Sequence, residues 1–145
     1  MFPVLWATTL FHLIRGNHLE CRKHADELMV KAEASGNPAF LVGAHHMAGV
    51  SREFMGEMVD SSRLLERAVA LHVPAEHKAY ELMYGSDPGM IARAMSSRPL
   101  WALGYPDRAL ARARETLEIA LLQREPLTHA FALRSEEHTS ELQSP

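Results

Sequence analysis

Gly104-Tyr105-Pro106-Asp107-Arg108-Ala109-Leu110, running on through Ala113 to Leu117, reads as a tight turn followed at once by an amphipathic helix. Glycine accepts the positive φ that closes a helix, and proline suits a first helical turn because its fixed φ is already helical and its missing N–H costs nothing there. The same phrase stands twice earlier in the chain, as Gly16-Asn17-His18-Leu19-Glu20-Cys21 and Gly56-Glu57-Met58-Val59-Asp60-Ser61. Five residues after each glycine comes a small side chain, Cys21, Ser61 or Ala109. A small residue at that point lets the helix after the turn lie close against the helix before it. Three copies of one turn-plus-helix phrase predict helical hairpins, each hiding its apolar face on its neighbours.

The rest of the chain fills in around these turns. Phe2 to Arg15 predicts a helix with Leu5, Trp6, Thr9, Leu10, Leu13 and Ile14 as a broad apolar face. After Gly16, Asn17 and Glu20 are placed for a reciprocal N-terminal capping box, and Cys21, Ala25, Leu28, Met29 and Ala32 form one stripe. Gly36-Asn37-Pro38 supplies a helix stop, an N-cap and a first-turn proline. A helix from Pro38 to Met55 follows, with Leu41, Ala44, Ala48 and Met55 inward; the helix after Gly56 carries Ser61, Leu64, Leu65, Ala68 and Leu71. Val73 to Gly85 is the least regular part, with Tyr80, Leu82, Met83 and Tyr84 able to make a short helix over the core. Asp87-Pro88 opens a helix toward Leu103, in which Pro99 predicts a bend near Met95–Ser97, since an interior proline costs about 3 kcal/mol. Pro106 to Gln123 places Ala109, Ala113, Leu117, Ala120 and Leu121 inward, and Pro126 opens a further helix. No stretch alternates with period two for long enough to make a strand, so the class is all-α, with about three hairpins.

Composition narrows the function. The 145 residues carry 15 basic and 18 acidic side chains spread along the chain, with no basic stripe to follow phosphates, which argues against nucleic acid. The apolar run Phe2 to Ile14 falls short of the roughly 20 residues needed to cross a bilayer, and no basic segment precedes it as in a secretory signal. Cys21 is the single cysteine, so no internal disulfide can form, and a cytoplasmic location is expected.

The hairpin phrase resembles the tetratricopeptide repeat, a 34-residue unit with a small pair in the middle of its first helix, a turn glycine, and a small residue five positions later. Ala48-Gly49 with Gly56 and Ser61 fits that pattern. The third copy keeps Gly104, Tyr105 and Ala109 with Ser96-Ser97 at the small pair, and the first has Thr8-Thr9 there. The glycines stand further apart than 34 residues, so the inter-repeat segments are lengthened. Ala44-His45-His46, Tyr84-Gly85-Ser86-Asp87-Pro88-Gly89 and Leu103-Gly104-Tyr105-Pro106-Asp107 look like the tetratricopeptide-type region of large bacterial signalling proteins. In those proteins a cyclase-like or DNA-binding domain and a P-loop ATPase precede a long helical-repeat region. The resemblance covers about Leu5 to Leu133 and carries no catalytic residue; no G-x-x-x-x-G-K-[ST] run is present to bring phosphate chemistry with it. A second resemblance concerns the end: Arg134 to Ser144 is similar to the translation of a widely used short-read sequencing adapter. It implies that residues 134–145 form an artefactual, disordered tail on a repeat region of residues 1–133, itself a fragment of a longer protein.

Candidate chemistry is sparse. His12, His18, His24 and His45 are the best available metal set, but no H-E-x-x-H or Cys/His cluster at ligand spacing occurs. His45 and His46 are adjacent, so on a helix they point about 100° apart. Cys21 belongs to the small-residue series and reads as a packing thiol. No metal or other cofactor is expected, and no enzymatic activity. The remaining functional surface is the groove lined by the first helix of each hairpin. Counting back from the turn glycines gives Trp6, Leu10 and Leu13; His46, Met47, Val50 and Phe54; and Ile91, Met95, Arg98 and Trp101. Aromatic and methionine side chains on one face suit an apolar helix or peptide. The expectation is a regulatory interaction module that binds a protein or peptide, or other domains of its parent. The alternatives are a free-standing helical adaptor and a small His-rich metal protein.

Overall fold

The turn glycines set the path of the chain: Gly16, Gly56 and Gly104 take φ of 75°, 80° and 91°, values an L side chain rarely adopts. The computed structural model describes residues 1–123 and 126–143. They form helices α1 (Phe2–Ile14), α2 (His18–Ser35), α3 (Pro38–Phe54) and α4 (Met58–Leu71), then a 3₁₀ turn (Pro74–Glu76) and α5 (His77–Tyr84). After these come α6 (Pro88–Ala102), α7 (Pro106–Gln123) and α8 (Pro126–Gln143), and no strand occurs among the described residues. The all-α expectation therefore holds.

Each glycine turn joins two helices that pack on each other: α1 on α2, α3 on α4, α6 on α7. The chain then steps onward, α2 against α3, α4 against α6 and α7 against α8. A second series links α1 to α3, α3 to α6 and α6 to α8. The small residues at the predicted register are wholly buried, Cys21, Ser61 and Ala109 alike. Gly49 serves the same end from the other side, because a Cβ there would run into the side chain and backbone of Leu65 on α4. Close helix approach is thus built from missing atoms on both partners.

The core lies along α3, whose residues Val42 to Ser51 are buried except His45. At one end Phe2 stacks on Phe40 with centroids 4.2 Å apart, and Trp6 lies 4.8 Å from Tyr84. Tyr84 comes from α5, and its hydroxyl donates to the carbonyl of Ala39 at 2.6 Å. Burying side chains of this size contributes about 1.5–3 kcal/mol each, so α5 acts as a clamp over the first hairpin.

Several local expectations are corrected. Asn17 occupies the N-cap of α2 but accepts no cap hydrogen bond from its side chain, and Glu20 turns instead to Lys23 at 3.0 Å. No capping box forms there. Asn37 and Asp87 do cap α3 and α6, the former by accepting from the Ala39 N–H and the latter from those of Gly89 and Met90. Ile14, Leu82 and Leu121 are exposed, not inward. On α7 Ala109, Ala113 and Ala120 are buried as expected, but Leu117 is only half-buried and Thr116 is buried beside them, its hydroxyl donating to the Arg112 carbonyl. Helix α6 continues through Pro99 to Ala102. The expected disordered tail is also corrected: α8 runs on to Gln143, with Thr139 buried and the Ser135 hydroxyl donating to the Ala94 carbonyl of α6 at 2.9 Å. Ser135 and Thr139 stand one helical turn apart, which is enough to give the segment an inner face.

Candidate interaction surface

The eleven residues predicted to line a groove separate into two groups. Trp6, His46, Met47 and Val50 are buried in the interior, Trp6 at 3% exposure. They cannot meet a partner, and their assignment to the groove is corrected. Tyr84 of α5 lies over Trp6, and Tyr80 and Tyr84 share the core cluster of Met47, while Val50 is buried among Leu65, Ala68 and Val69 of α4 and Ala92 of α6. Leu10 and Leu13 are half-buried against the two parts of the core.

The others converge. Phe54 at the end of α3 and Met95 and Arg98 on α6 line one cleft of about 440 Å³ with Arg134, Ser135 and His138 of α8. Phe54 is 47% and Trp101 37% exposed, and Trp101 meets the His138 ring edge-on at 6.5 Å. Ile91 is half-buried further along α6. The surviving surface is therefore the cleft between the end of α3 and α6, partly roofed by α8. Two arginines line it, Arg98 and Arg134, and the Nε of Arg98 donates to Glu53 at 2.9 Å. Glu53 is buried, and that burial pushes its carboxyl up to about 6 although Arg98 pulls it back. Its second oxygen has no hydrogen-bond partner among the described residues.

A polar cluster that the sequence did not announce lies elsewhere. Asp87 Oδ2 accepts from His72 Nε2 and His77 Nδ1, both at 2.9 Å, while Oδ1 caps α6. Arg93 Nε donates to His72 Nδ1 at 3.2 Å, which places the His72 proton on Nε2, and Arg93 Nη1 goes on to Glu115 of α7 at 2.7 Å. Burial opposes the charge on Asp87, but the hydrogen bonds from His72 and His77 prevail and hold its carboxyl below the usual range. Every ring nitrogen of His72 is engaged and the residue is buried, so the cluster ties elements together and offers no free base. Gly89 belongs to it, because a Cβ there would collide with the His72 ring. Asp87 was legible as a cap; its two histidine donors were not, since they lie in the segment where periodicity fails.

Of the histidines weighed as metal ligands, His12 and His24 stack at 5.1 Å, His18 stacks on Phe54, and the His45 Nδ1 bonds the Leu41 carbonyl. The four do not share one centre, and among the described residues no group of three or more potential ligands is placed to hold a metal ion. Cys21 is buried, and that burial pushes its thiol up to about 11. No helix among the described residues is long and apolar enough to cross a membrane. Comparison with protein-family models, with curated proteins and with solved structures returns no match.

Proposed function

We propose that this chain is a non-enzymatic helical-repeat module of tetratricopeptide type, with α1–α2, α3–α4 and α6–α7 as its three hairpins. It works as the interaction segment of a larger cytoplasmic signalling protein of the bacterial ATPase or cyclase-like kind. The observation that carries this reading is a recurring register: a left-handed glycine, then a fully buried small residue five positions on, in each of the three helix pairs. The contact order agrees with it, since each first helix meets the first helix of the next pair as well as the helix between them. On this reading the partner is a protein or peptide, or another domain of the parent, and the residues that meet it are Phe54, Arg98 and Trp101. On the same reading Arg134 to Ser144 is foreign to the natural repeat.

Selection of a displayed peptide library on the full chain tests the assignment. Helical peptides with apolar anchors are expected to enrich and to bind at least tenfold more weakly to a Phe54→Ala/Trp101→Ala variant of unchanged helicity. Equal binding by that variant would remove the face from consideration.

A further inference from the structure

We propose that the outer face of α1 is the seat for an amphipathic helix that presents an uncharged stripe of alanine and larger aliphatic residues, the kind of helix that α2 and α4 are in this chain. Helix α1 contains no Asp, Glu, Lys or Arg, and its apolar residues go right round it. A helix of that composition belongs in an interior. Yet Val4 is 59% and Phe11 54% exposed, and both border an open apolar groove of about 480 Å³ with Pro3, Ala7 and Thr8.

The repeat register says what covers such a face. Counted back from the turn glycines, Val4, Ala7, Thr8 and Phe11 of α1 correspond to Ala44, Met47, Ala48 and Ser51 of α3, and all four of these are buried. They also correspond to Ala92, Met95, Ser96 and Pro99 of α6, all buried but the half-buried Met95. In each case the helix one step earlier packs against it, α2 on α3 and α4 on α6. Ala44 clusters with Ala25, Leu28 and Ala32 of α2, and Ala92 with Leu65, Ala68 and Val69 of α4. The α1 groove thus shares the register of an interface that the chain makes twice internally. A bilayer suits it less, because an interfacial helix needs a basic polar face that α1 does not have.

This inference rests on the repeat register of the proposed function but not on the Phe54–Trp101 face, whose peptide binding is measured separately, so either can fail alone. A copy of residues 57–72 is joined ahead of Met1 by a short Gly/Ser linker, which raises its effective concentration to about the millimolar range. Val4→Cys then reports cover through its rate of reaction with a maleimide, against the buried Cys21 as a silent background. Val4 is exposed, so the substitution leaves the fold intact. Labelling should slow at least tenfold in the fusion and recover when the copy carries aspartate in place of the residues matching Leu65 and Ala68. Equal labelling with and without the copy overturns the proposal. So does a dimer of the unfused chain that already protects Val4→Cys and that Phe11→Glu dissociates, since the occupant would then be a second copy.

Discussion

Two tryptophans that look alike in the sequence have opposite roles in the fold. Trp6 sits among Tyr84, Phe2 and His46, whereas Trp101 lies at a cleft edge beside His138. Trp6→Ala should cost about 3–5 kcal/mol and Trp101→Ala under about 1 kcal/mol, read from urea unfolding. A reversed order would show that α5 does not close over α1. His46 beside Trp6 is held neutral by burial, its pKa lowered from 6.5 to about 4. Between those values the unfolded chain takes up a proton that the fold refuses, so stability is lost as pH falls through the window. Glu53 acts in the opposite sense: its folded value of about 6 lies above the ordinary 4.5, so it favours the fold below that range and loses this contribution as pH rises through 6. The opposing slopes nearly cancel in the native chain. A His46→Leu variant should gain about 2 kcal/mol on going from pH 7 to 4.5, while the native chain changes by less than about 1 kcal/mol. Parallel pH profiles for the two proteins would contradict this.

At the scale of elements, Asp87 joins four of them: the end of α4 through His72, α5 through His77, the start of α6 through its own cap, and α7 by way of Arg93 and Glu115. The segment between α4 and α6 is thus tied to both helices by one carboxylate. Asp87→Asn keeps an acceptor for the cap but turns an amide N–H toward two histidine donors. The expected loss is about 3 kcal/mol, for two hydrogen bonds to a buried carboxylate at about 1.5 kcal/mol each, with α5 amides losing hydrogen-exchange protection before those of α3. Because the Asp87 carboxyl is lowered in the fold, its contribution is complete above about pH 4 and is lost as pH falls through the folded value. The glycine turns and small-residue stripes were readable beforehand because each depends on one or two side chains at a fixed offset. The capping box at Asn17 was misread because Lys23, one turn on from Glu20, competes for its carboxylate.

For the whole molecule, each helix packs on the next in chain order apart from α5, which lies over α1. A chain ending at Leu133 should keep the far-UV signal of α1 to α7 and unfold in one transition, only a few degrees below the full chain. Loss of the cooperative transition would show that residues 134–143 belong to the fold they touch at Ala94. The sequence by itself determined the all-α class, the positions of the turns and which side chains are small enough for helices to meet. Those properties come from local backbone preference and 3.6-residue periodicity, which a linear chain displays openly. Only the tertiary structure decided that Trp6, His46, Met47 and Val50 are core, that Phe54 and Trp101 remain at the surface, and that His72, His77 and Asp87 form one cluster. Each of these follows from which helices meet, Trp6 beneath α5, Val50 among α4 and α6 residues and His72 beside Asp87, and no local pattern states how segments distant in sequence pack together.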